Sequence, residues 1–363
     1  MNIFFEINHP GQVHLLRHSY HLLKDNGHKI TVFAKNEPII NRLLSFYNIS
    51  YKSLGNKGAG KRGKLVKQLV FDLKVWLNAI QLKYVLGVGS SMTNDHVSLF
   101  STMKSIHLSD DDEDVVPLIK KYAYPFSDTV LAPDSLLFKR FSYKVISYAG
   151  THELAYLHPN RFKPDPGVLS EAGLKTDEPY FVLRFVALKG HHDDGHSGIS
   201  YENKKVLINL LKQYGRIIIS AEKKLEPEFE PYRMKVDPEK IHSLIYYASL
   251  FISDSQTMTS EAATLGVPAL KCNTFAGLLS VPNELEHKYG LCYSYHPNDF
   301  TKFYDQILKF LKTTDLKLQW QAKRKKLLED KIDVTAFFVW FIENYPESFR
   351  IMKENPDYQY RFR

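Results

Sequence analysis

A hydroxyl-rich turn within residues 250–270, LFISDSQTMTSEAATLGVPAL, contains the residue types of an anion-binding site. The apolar strand before the turn ends at Asp254, and the pattern predicts a helix that begins near Ser260. Such a turn brings together backbone amides, side-chain hydroxyls and the positive end of a helix dipole, which suits a diphosphate. Glu261 is then placed to accept hydrogen bonds from sugar hydroxyls. The alternative interpretation is that Asp254 and Ser255 only cap the helix and that Glu261 complements its dipole.

A second group of candidate residues occupies segment 184–198, RFVALKGHHDDGHSG, which follows a predicted strand. Arg184, His191 and His192 offer cationic or hydrogen-bonding groups that can neutralise a leaving diphosphate. The histidines and aspartates of 191–196 can also be interpreted as metal ligands. These ligands are crowded in sequence, however, and form no i,i+4 pair on a helix, so no metal site is predicted. A plain solvated loop is the third interpretation.

Two further segments follow predicted strands and contain groups able to transfer protons. In segment 8–14, NHPGQVH, His9 and His14 are candidate general bases, because the pKa of histidine lies near neutrality. A structural role is the alternative for each histidine. In segment 109–114, SDDDED, Asp110 or Asp111 is a candidate base or orienting group. The rest of that run is interpreted as a solvated or helix-capping cluster, and a divalent ion is a further possible ligand.

The elements that position these groups alternate between strands and helices along nearly the whole chain. Apolar β-rich runs predict strands at residues 3–7, 30–34, 84–88, 105–108, 129–132, 144–148, 180–186, 216–221, 250–253, 267–271 and 291–295. Apolar residues at spacings of three and four predict helices between them, as in the stripe Leu65, Leu69, Leu73, Trp76 or Leu77, and Ile80. This alternation predicts βα units and mostly parallel sheets covered on both faces.

The alternation pauses at residues 149–178, where prolines accumulate, and then resumes. We therefore predict an α/β chain with two Rossmann-like domains, at 1–160 and 161–320, whose parallel sheets face a central cleft. Segment 321–363 is predicted to be a helical tail that packs back across the domains. In open α/β sheets, ligands bind beyond the carboxyl ends of the strands, where the candidate groups lie.

The turn in residues 250–270 resembles the nucleotide-sugar site of GT-B glycosyltransferases and of the non-hydrolysing UDP-N-acetylglucosamine 2-epimerases. More closely, the whole chain resembles the uncharacterised family numbered 354 among domains of unknown function, which is predicted to be glycosyltransferase-like. The supporting segments are Asn8-His9-Pro10-Gly11, Asn26-Gly27-His28, Tyr148-Ala149-Gly150 with Glu153 and Tyr156-Leu157, the helix at 238–248, and the turn itself.

This resemblance implies a GT-B-like fold, with the first domain on the acceptor side and the second on the nucleotide-sugar side. In the relatives, the turn amides hold the nucleotide diphosphate, which implies this role for Ser255, Gln256 and Thr257. A helix glutamate holds the ribose, which implies Glu261. The relatives usually have Gly-Gly where this chain has Gln256-Thr257, and larger side chains restrict a close backbone approach. The nucleotide sugar enters as a substrate, and no cofactor is implied.

The predicted function is transfer of a sugar from a nucleotide-sugar donor to an acceptor hydroxyl, in the biosynthesis of a surface polysaccharide or glycoconjugate. One alternative is a nucleotide-sugar 2-epimerase. The epimerases place an acidic residue after the strand that here ends at Gly89, whereas this chain has no carboxylate there until Asp95. A non-catalytic binding protein with the GT-B fold is the other alternative.

Composition limits the broad class of protein. The chain has 363 residues, of which 44% are hydrophobic and 13% aromatic, so global disorder and collagen-like folds are excluded. The two cysteines, Cys272 and Cys292, form no CxxC pair and are too few for a disulfide framework. Because no segment has the pattern of a signal peptide or a spanning helix, a cytoplasmic location is predicted.

The net charge favours anionic partners. Lysine and arginine number 48 against 40 acidic residues, which gives +8 with neutral histidines. We predict no sequence-specific nucleic-acid binding. Peripheral contact with an anionic inner membrane leaflet is predicted instead, through basic segments 61–64, 323–326 and the basic-aromatic tail at 350–363.

Overall fold

The computed structural model describes residues 1–56, 58, 60–186, 197–221 and 224–363. The described chain divides into two compact units. The first unit comprises residues 1–161 and 331–363, and the second unit comprises residues 162–330. Each unit contains one parallel sheet. The predicted fold class, α/β with two Rossmann-like parallel sheets, is confirmed.

The sheet of the first unit contains seven strands in the order β3-β2-β1-β4-β5-β6-β7, all paired in parallel. The strands are β1 (Asn2–Ile7), β2 (Lys29–Lys35), β3 (Tyr51–Gly55), β4 (Leu86–Gly89), β5 (Lys104–Leu108), β6 (Thr129–Pro133) and β7 (Val145–Tyr148). The helices among them are α1 (Pro10–Asp25), α2 (Pro38–Phe46), α3 (Gly60–Leu82), α4 (Met92–Leu99), α5 (Pro117–Tyr122) and α6 (Leu154–Leu157). The strand order reverses between β1 and β4, which makes that pair the switch point where ligands bind in such sheets.

The sheet of the second unit contains five parallel strands in the order β12-β11-β10-β8-β9. The strands are β8 (Tyr180–Phe185), β9 (Arg216–Ala221), β10 (Leu250–Ser253), β11 (Ala269–Cys272) and β12 (Cys292–Tyr295). The helices are α7 (Gly167–Glu171), α8 (Tyr201–Leu211), α9 (Ile241–Tyr247), α10 (Gln256–Thr264), α11 (Ser280–Asn283), α12 (Phe300–Leu311) and α13 (Leu316–Asp330). The order reverses between β8 and β10, so the segments after these two strands meet at the switch point.

Helix α3 differs from the prediction in the face that it buries. Phe71, Val75 and Ala79 pack into the core of the first unit, together with Phe4 of β1. The apolar stripe that predicted this helix, from Leu65 to Ile80, lies on the solvent side. The stripe thus predicted the helix correctly, but it is not the face that packs into the core. Gln68 and Asp72 explain the orientation, since they bind Thr93 and His96 of α4 from the buried side, at 2.8 Å for both contacts.

The C-terminal segment is divided between the two units: residues 316–330 belong to the second unit and residues 331–363 to the first. Helix α13 packs within the second unit, where the indole nitrogen of Trp320 donates to the carbonyl of Leu291 at 2.7 Å. Helices α14 (Val334–Glu343) and α15 (Glu347–Glu354) then pack within the first unit. There the ammonium group of Lys331 lies 2.7 Å from the carboxylate of Asp134. In the described part of the chain, no helix is both long and apolar enough to cross a bilayer.

Candidate functional site

The turn between β10 and α10 has its groups arranged by local hydrogen bonds. Helix α10 begins at Gln256, four residues earlier than predicted, and Ser255 is its N-cap. The Ser255 hydroxyl accepts from the amide of Met258 at 3.4 Å, and the Thr259 hydroxyl donates to the Ser255 carbonyl at 2.7 Å. Thr257 is exposed. Because the first amides of a helix have no intrahelical acceptor, those of Gln256 and Thr257 are oriented to bind an anion.

The Gln256 side chain is bonded to Lys271 on β11 and to Asn273 directly after this strand, and so it does not cover the turn. Its carbonyl oxygen accepts a short hydrogen bond from the ammonium group of Lys271 on β11, and its amide nitrogen lies 3.4 Å from Oδ1 of Asn273. Lys271 is only 1% exposed, and burial lowers its pKa to about 8. A buried ammonium group therefore lies next to the start of α10, where it adds positive potential to the turn.

Asp254 connects the turn to the end of β8. Its carboxylate accepts from the amide of Val186 at 2.7 Å, and its backbone carbonyl accepts from the side chain of Asn273 at 2.9 Å. Gly198 allows the chain to approach this carboxylate, because a Cβ atom there would lie 2.5 Å from an Asp254 oxygen. Burial raises the pKa of Asp254 to about 6. Asp254 thus fixes the local geometry of the switch point.

The other candidate residues of the second unit have different positions. Arg184 lies on β8 at the switch point and donates to the hydroxyl of Ser220 on β9 at 3.1 Å. His191 and His192 lie outside the described residues. Glu261 is 5% exposed on α10, and its carboxylate lies 3.0 Å from Nε2 of His242 on α9. The sequence analysis did not identify His242, because nothing in its local pattern distinguishes it from a core histidine.

The carboxyl edge of the first unit contains an aspartate–histidine pair. Asp110 follows β5, His152 follows β7, and Oδ2 of Asp110 lies 3.1 Å from Nδ1 of His152. His152 is 8% exposed, and within the described residues its Nε2 atom has no hydrogen-bond partner. A neutral imidazole that donates from Nδ1 to a carboxylate keeps Nε2 as a proton acceptor. The pair therefore has the geometry of an oriented general base.

Electrostatic interactions between Asp110 and His152 stabilise the ionised carboxylate and the protonated imidazole. Desolvation raises the pKa of Asp110, but the charge and hydrogen bond of His152 outweigh it and hold that pKa below its ordinary value. Burial lowers the pKa of His152, but Asp110 outweighs this effect and raises it above its usual value. Next to the pair, burial raises the pKa of Glu153 to about 7. Glu153 is thus able to exchange a proton near neutral pH at this edge.

The two predicted histidines lie at opposite ends of the segment that opens α1. His9 is exposed and caps the helix, with its Nδ1 atom accepting from the amide of Gly11 at 3.2 Å. It lies close enough to Asp110 to lower the pKa of that carboxyl. His14 is buried, and its Nδ1 atom lies 3.1 Å from the guanidinium group of Arg17 and 3.3 Å from the hydroxyl of Tyr47. The structure thus places His9, but not His14, beside the Asp110–His152 pair.

A buried carboxylate at the first switch point was not identified from the sequence. Glu6 of β1 is 1% exposed, accepts from the side chain of Asn8 at 2.8 Å, and also accepts from the Ser91 hydroxyl. Its second oxygen accepts from the amide of Asn94 at 3.1 Å. A single acidic residue within an apolar strand was the signal that could have indicated it. Glu6 links the segments after β1 and β4, so its role is to organise this edge.

No metal-binding group was found in the described ranges. Among these residues, histidine, cysteine, aspartate and glutamate form no cluster of three or more that could hold a metal ion. The candidate metal ligands of segment 191–196 lie outside these ranges.

Three solved structures illustrate the fold that this chain shares. The S. aureus MnaA–UDP co-structure matches with a TM-score of 0.64 and 12% identity, covering 96% of this chain and 97% of that one. The UDP-GlcNAc 2-epimerase from Methanocaldococcus jannaschii matches with a TM-score of 0.61 and 13% identity, over 86% and 94% of the two chains. The spinosyn forosaminyltransferase SpnP matches with a TM-score of 0.59 and 14% identity, over 91% and 95%. The chain therefore has the GT-B fold.

The sequence comparison defines the family. The chain belongs to the family described as "Protein of unknown function (DUF354)", whose model matches residues 1–341. It is also similar to the uncharacterized protein MJ0665 of Methanocaldococcus jannaschii, with 23% identity over 287 residues, or 75% of this chain and 82% of that protein. The predicted family membership is confirmed.

Proposed function

We propose that the chain is a glycosyltransferase that transfers a sugar from a nucleotide-sugar donor to an acceptor hydroxyl, in surface polysaccharide or glycoconjugate biosynthesis. The observation that carries this proposal is the turn between β10 and α10. It combines an N-cap serine, the first amides of a nine-residue helix and a buried lysine at the switch point of a parallel sheet. These are the features of a site for a diphosphate.

The position of Gln256 supports diphosphate binding despite the absence of a Gly-Gly pair. Because Lys271 and Asn273 hold the Gln256 side chain, the backbone amide at this position is the group offered to a ligand. Ser255, Gln256 and Thr257 are proposed to bind the diphosphate. Arg184, at the end of β8, is proposed to neutralise the charge on the leaving group, together with His191 and His192.

Glu261 is proposed to bind the ribose of the nucleotide. Its carboxylate is fixed by His242 at 3.0 Å, so it is oriented before a ligand arrives. A preorganised acceptor loses little conformational entropy when it binds a sugar hydroxyl.

In the first unit, we assign proton transfer to His152 and orientation of its ring to Asp110. The acceptor hydroxyl gives its proton to Nε2 of His152, and its oxygen forms a bond to the anomeric carbon. The bond from that carbon to the diphosphate breaks, and the electron pair leaves with the diphosphate. His9 is proposed to favour the ionised form of Asp110, whose pKa it lowers. The contact of His14 with Arg17 supports the packing of α1. His152 thus replaces His9 and His14 as the proposed general base, and Asp110 keeps the orienting role that was one of its two predicted roles.

The alternative epimerase reaction is disfavoured by the position of Asp95. This residue is the first carboxylate after β4, and it is fully buried, with its Oδ2 atom 2.7 Å from Nδ1 of His107. A carboxylate enclosed in this way does not reach a substrate. Incorporation of solvent deuterium into the sugar ring would support epimerisation instead.

Calorimetry tests the proposal directly. UDP, GDP, CDP, dTDP and the matching nucleotide sugars are titrated into the wild type and into Glu261→Gln. We expect one nucleotide to bind, and the substitution to weaken it by about 1 to 3 kcal/mol, as expected for a hydrogen bond to a charged group. Glu343→Gln is the matched control, because Glu343 also accepts from a histidine, His28, at 3.1 Å, but lies in the first unit. If no nucleotide binds, the proposed function is wrong.

A further inference from the structure

Helix α3 presents an apolar surface to solvent along its length. Seven aliphatic side chains on this side are between 43% and 63% exposed: Leu65, Val66, Leu69, Val70, Leu73, Leu77 and Ile80. We call this set the α3 ridge. The ridge extends over residues 65–80, about 24 Å of the helix, so it is a continuous apolar surface and not a set of scattered apolar residues.

The end of α4 extends the ridge. Leu99 is 51% exposed and Phe100 is 73% exposed. The indole nitrogen of Trp76 on α3 donates to the backbone carbonyl of Phe100 at 2.7 Å, which places the Phe100 backbone next to the helix. An exposed phenylalanine beside a row of leucines suits insertion into the interface of a bilayer.

The charges on α3 are almost all positive. Arg62, Lys64, Lys67 and Lys74 are exposed, and in the described part of the chain none of them forms an ion pair. The one acidic residue of the helix, Asp72, is half-buried and lies 2.8 Å from Nδ1 of His96. The ridge is therefore accompanied by unneutralised positive charge, with no exposed carboxylate along the helix.

The other basic segments lack this combination. In segment 323–326, Lys323 binds the carbonyl of Gly290 and Arg324 binds the carbonyl of Thr264 within the second unit. In the C-terminal tail, Arg350 pairs with two glutamates of its own helix. Lys74 of α3 also donates to a backbone carbonyl, that of Ser53, at 3.3 Å, so the difference lies in the apolar residues: no comparable row of exposed aliphatic side chains accompanies the other basic groups in the described ranges.

We infer that the α3 ridge is a membrane-docking surface for an anionic bilayer. The aliphatic side chains enter the boundary between headgroups and acyl chains, while the lysine and arginine side chains extend to the lipid phosphates. Anionic lipid attracts each such cation near its surface. A second copy of the chain is a poorer occupant, because two ridges packed together would bring the same positive charges close to each other.

Vesicle flotation of the full-length protein tests this inference. Vesicles contain phosphatidylcholine alone or with phosphatidylglycerol. We expect binding only to the anionic vesicles and a loss of at least about tenfold in Leu69→Glu/Leu73→Glu. Lys64→Gln, Lys67→Gln and Lys74→Gln should each lower binding by about fivefold. Leu318→Glu is the matched control, because this leucine is 66% exposed on α13 in the second unit and should leave binding unchanged.

A fluorescent label then locates the contact. An environment-sensitive fluorophore is attached to Leu73→Cys or to Leu318→Cys, with the two native cysteines protected by burial. Anionic vesicles should shift the emission to shorter wavelength only for the label at position 73.

Three results would overturn the inference. The first is failure of the wild type to bind anionic vesicles. The second is binding that survives Leu69→Glu/Leu73→Glu, and the third is a dimer in sedimentation that this double substitution converts to a monomer. The vesicle experiment contains no nucleotide, so its failure is independent of a failure of the calorimetric test of glycosyltransferase function.

Discussion

The carboxyl edges of the two sheets satisfy their polar groups in different ways. At the edge of the first unit, several buried side-chain atoms have no hydrogen-bond partner within the described residues, namely Asn8 Oδ1, Thr151 Oγ1, His152 Nε2 and Glu153 Oε2. At the edge of the second unit, the Ser255, Gln256 and Glu261 side chains are each bonded to another protein group. The first edge keeps several unsatisfied groups, and at the second edge these three side chains of the turn and of α10 are fixed.

This difference indicates how each edge contributes to function. A buried polar atom without a partner costs about 1 to 3 kcal/mol, so such atoms accumulate where a ligand or water completes their hydrogen bonds. Side chains bonded to one another instead hold a backbone in position, which suits recognition of a constant group such as a diphosphate. The difference therefore supports the proposal of proton transfer at the first edge and nucleotide binding at the second.

The largest expected effect tests the role of the first edge. His152→Ala should lower turnover of the nucleotide sugar by about 10²- to 10⁴-fold, the contribution of a positioned base, with donor affinity unchanged in calorimetry. Asp110→Asn should lower turnover less, because it removes the orientation of the ring and not the base.

His96→Gln is the control for this comparison. His96 also pairs with an aspartate in the first unit, but on α4, so its loss should leave turnover unchanged. Equal turnover in the wild type and His152→Ala would contradict the assigned role. A loss that appears equally in His96→Gln would indicate a structural effect.

The next effect concerns the stability of the second edge as a function of pH. Burial raises the pKa of Asp254 from 3.8 in the unfolded chain to about 6 in the folded one, so the folded state binds more protons between these values. Stability from this group is complete below about pH 4 and is lost as pH rises through about 6. Asp254→Asn should thus raise the free energy of unfolding at neutral pH by about 1 to 3 kcal/mol.

Urea unfolding at a series of pH values provides the measurement for Asp254. The difference between wild type and Asp254→Asn should vanish as the pH falls below about 4, where the wild-type carboxyl is protonated in both states. A difference that is independent of pH would contradict the explanation.

A smaller effect measures the contribution of the buried ammonium group to the turn. Lys271→Met should weaken nucleotide binding by about fivefold to tenfold, since a positive charge close to the diphosphate is lost. The pKa of Lys271 is about 8, so wild-type affinity should fall as pH rises through this value, while the affinity of Lys271→Met should not. Calorimetry below and above pH 8 distinguishes the wild type from Lys271→Met. If nucleotide affinity changes with pH in the same way in both proteins, Lys271 does not have the proposed role.

The smallest effect concerns the cap of α10. Ser255→Ala removes the hydroxyl that accepts from the amide of Met258, which should lower the free energy of unfolding by about 1 kcal/mol. Ser255→Asp restores an acceptor and should recover this stability, but its charge should repel a diphosphate. If nucleotide affinity is the same in Ser255→Asp and the wild type, the diphosphate does not bind at this turn.

Much of the architecture could be predicted from local sequence. Buried strands such as β1 and β10 are short apolar runs bounded by polar residues, and their pattern needs no knowledge of neighbours. Strand β3, YKSLG, was missed because it lies at the edge of its sheet and buries little of its length. The start of α10 was placed too late because its first turn, Gln-Thr-Met-Thr, has a single apolar residue and so gives no hydrophobic period.

The positions of the site residues along the fold could be predicted from the sequence, but the residues that they contact could not. Asp110, Ser255 and Glu261 were identified because they follow strands or open a helix, and that rule depends only on chain order. Their partners were not predictable. His152 lies 42 residues after Asp110, and His242 lies 19 residues before Glu261, so no local pattern relates the members of either pair.

The sequence by itself determined the alternation of strands and helices, the family and the strand ends at which polar groups collect, because these depend on short-range pattern and chain order. Only the tertiary structure decided which face of α3 enters the core. Helix α3 has two apolar faces, and the local sequence favours the longer one from Leu65 to Ile80. The hydrogen bonds of Gln68 and Asp72 to α4 turn the other face inward and leave that stripe in solvent, because burial is set by neighbours distant in the chain.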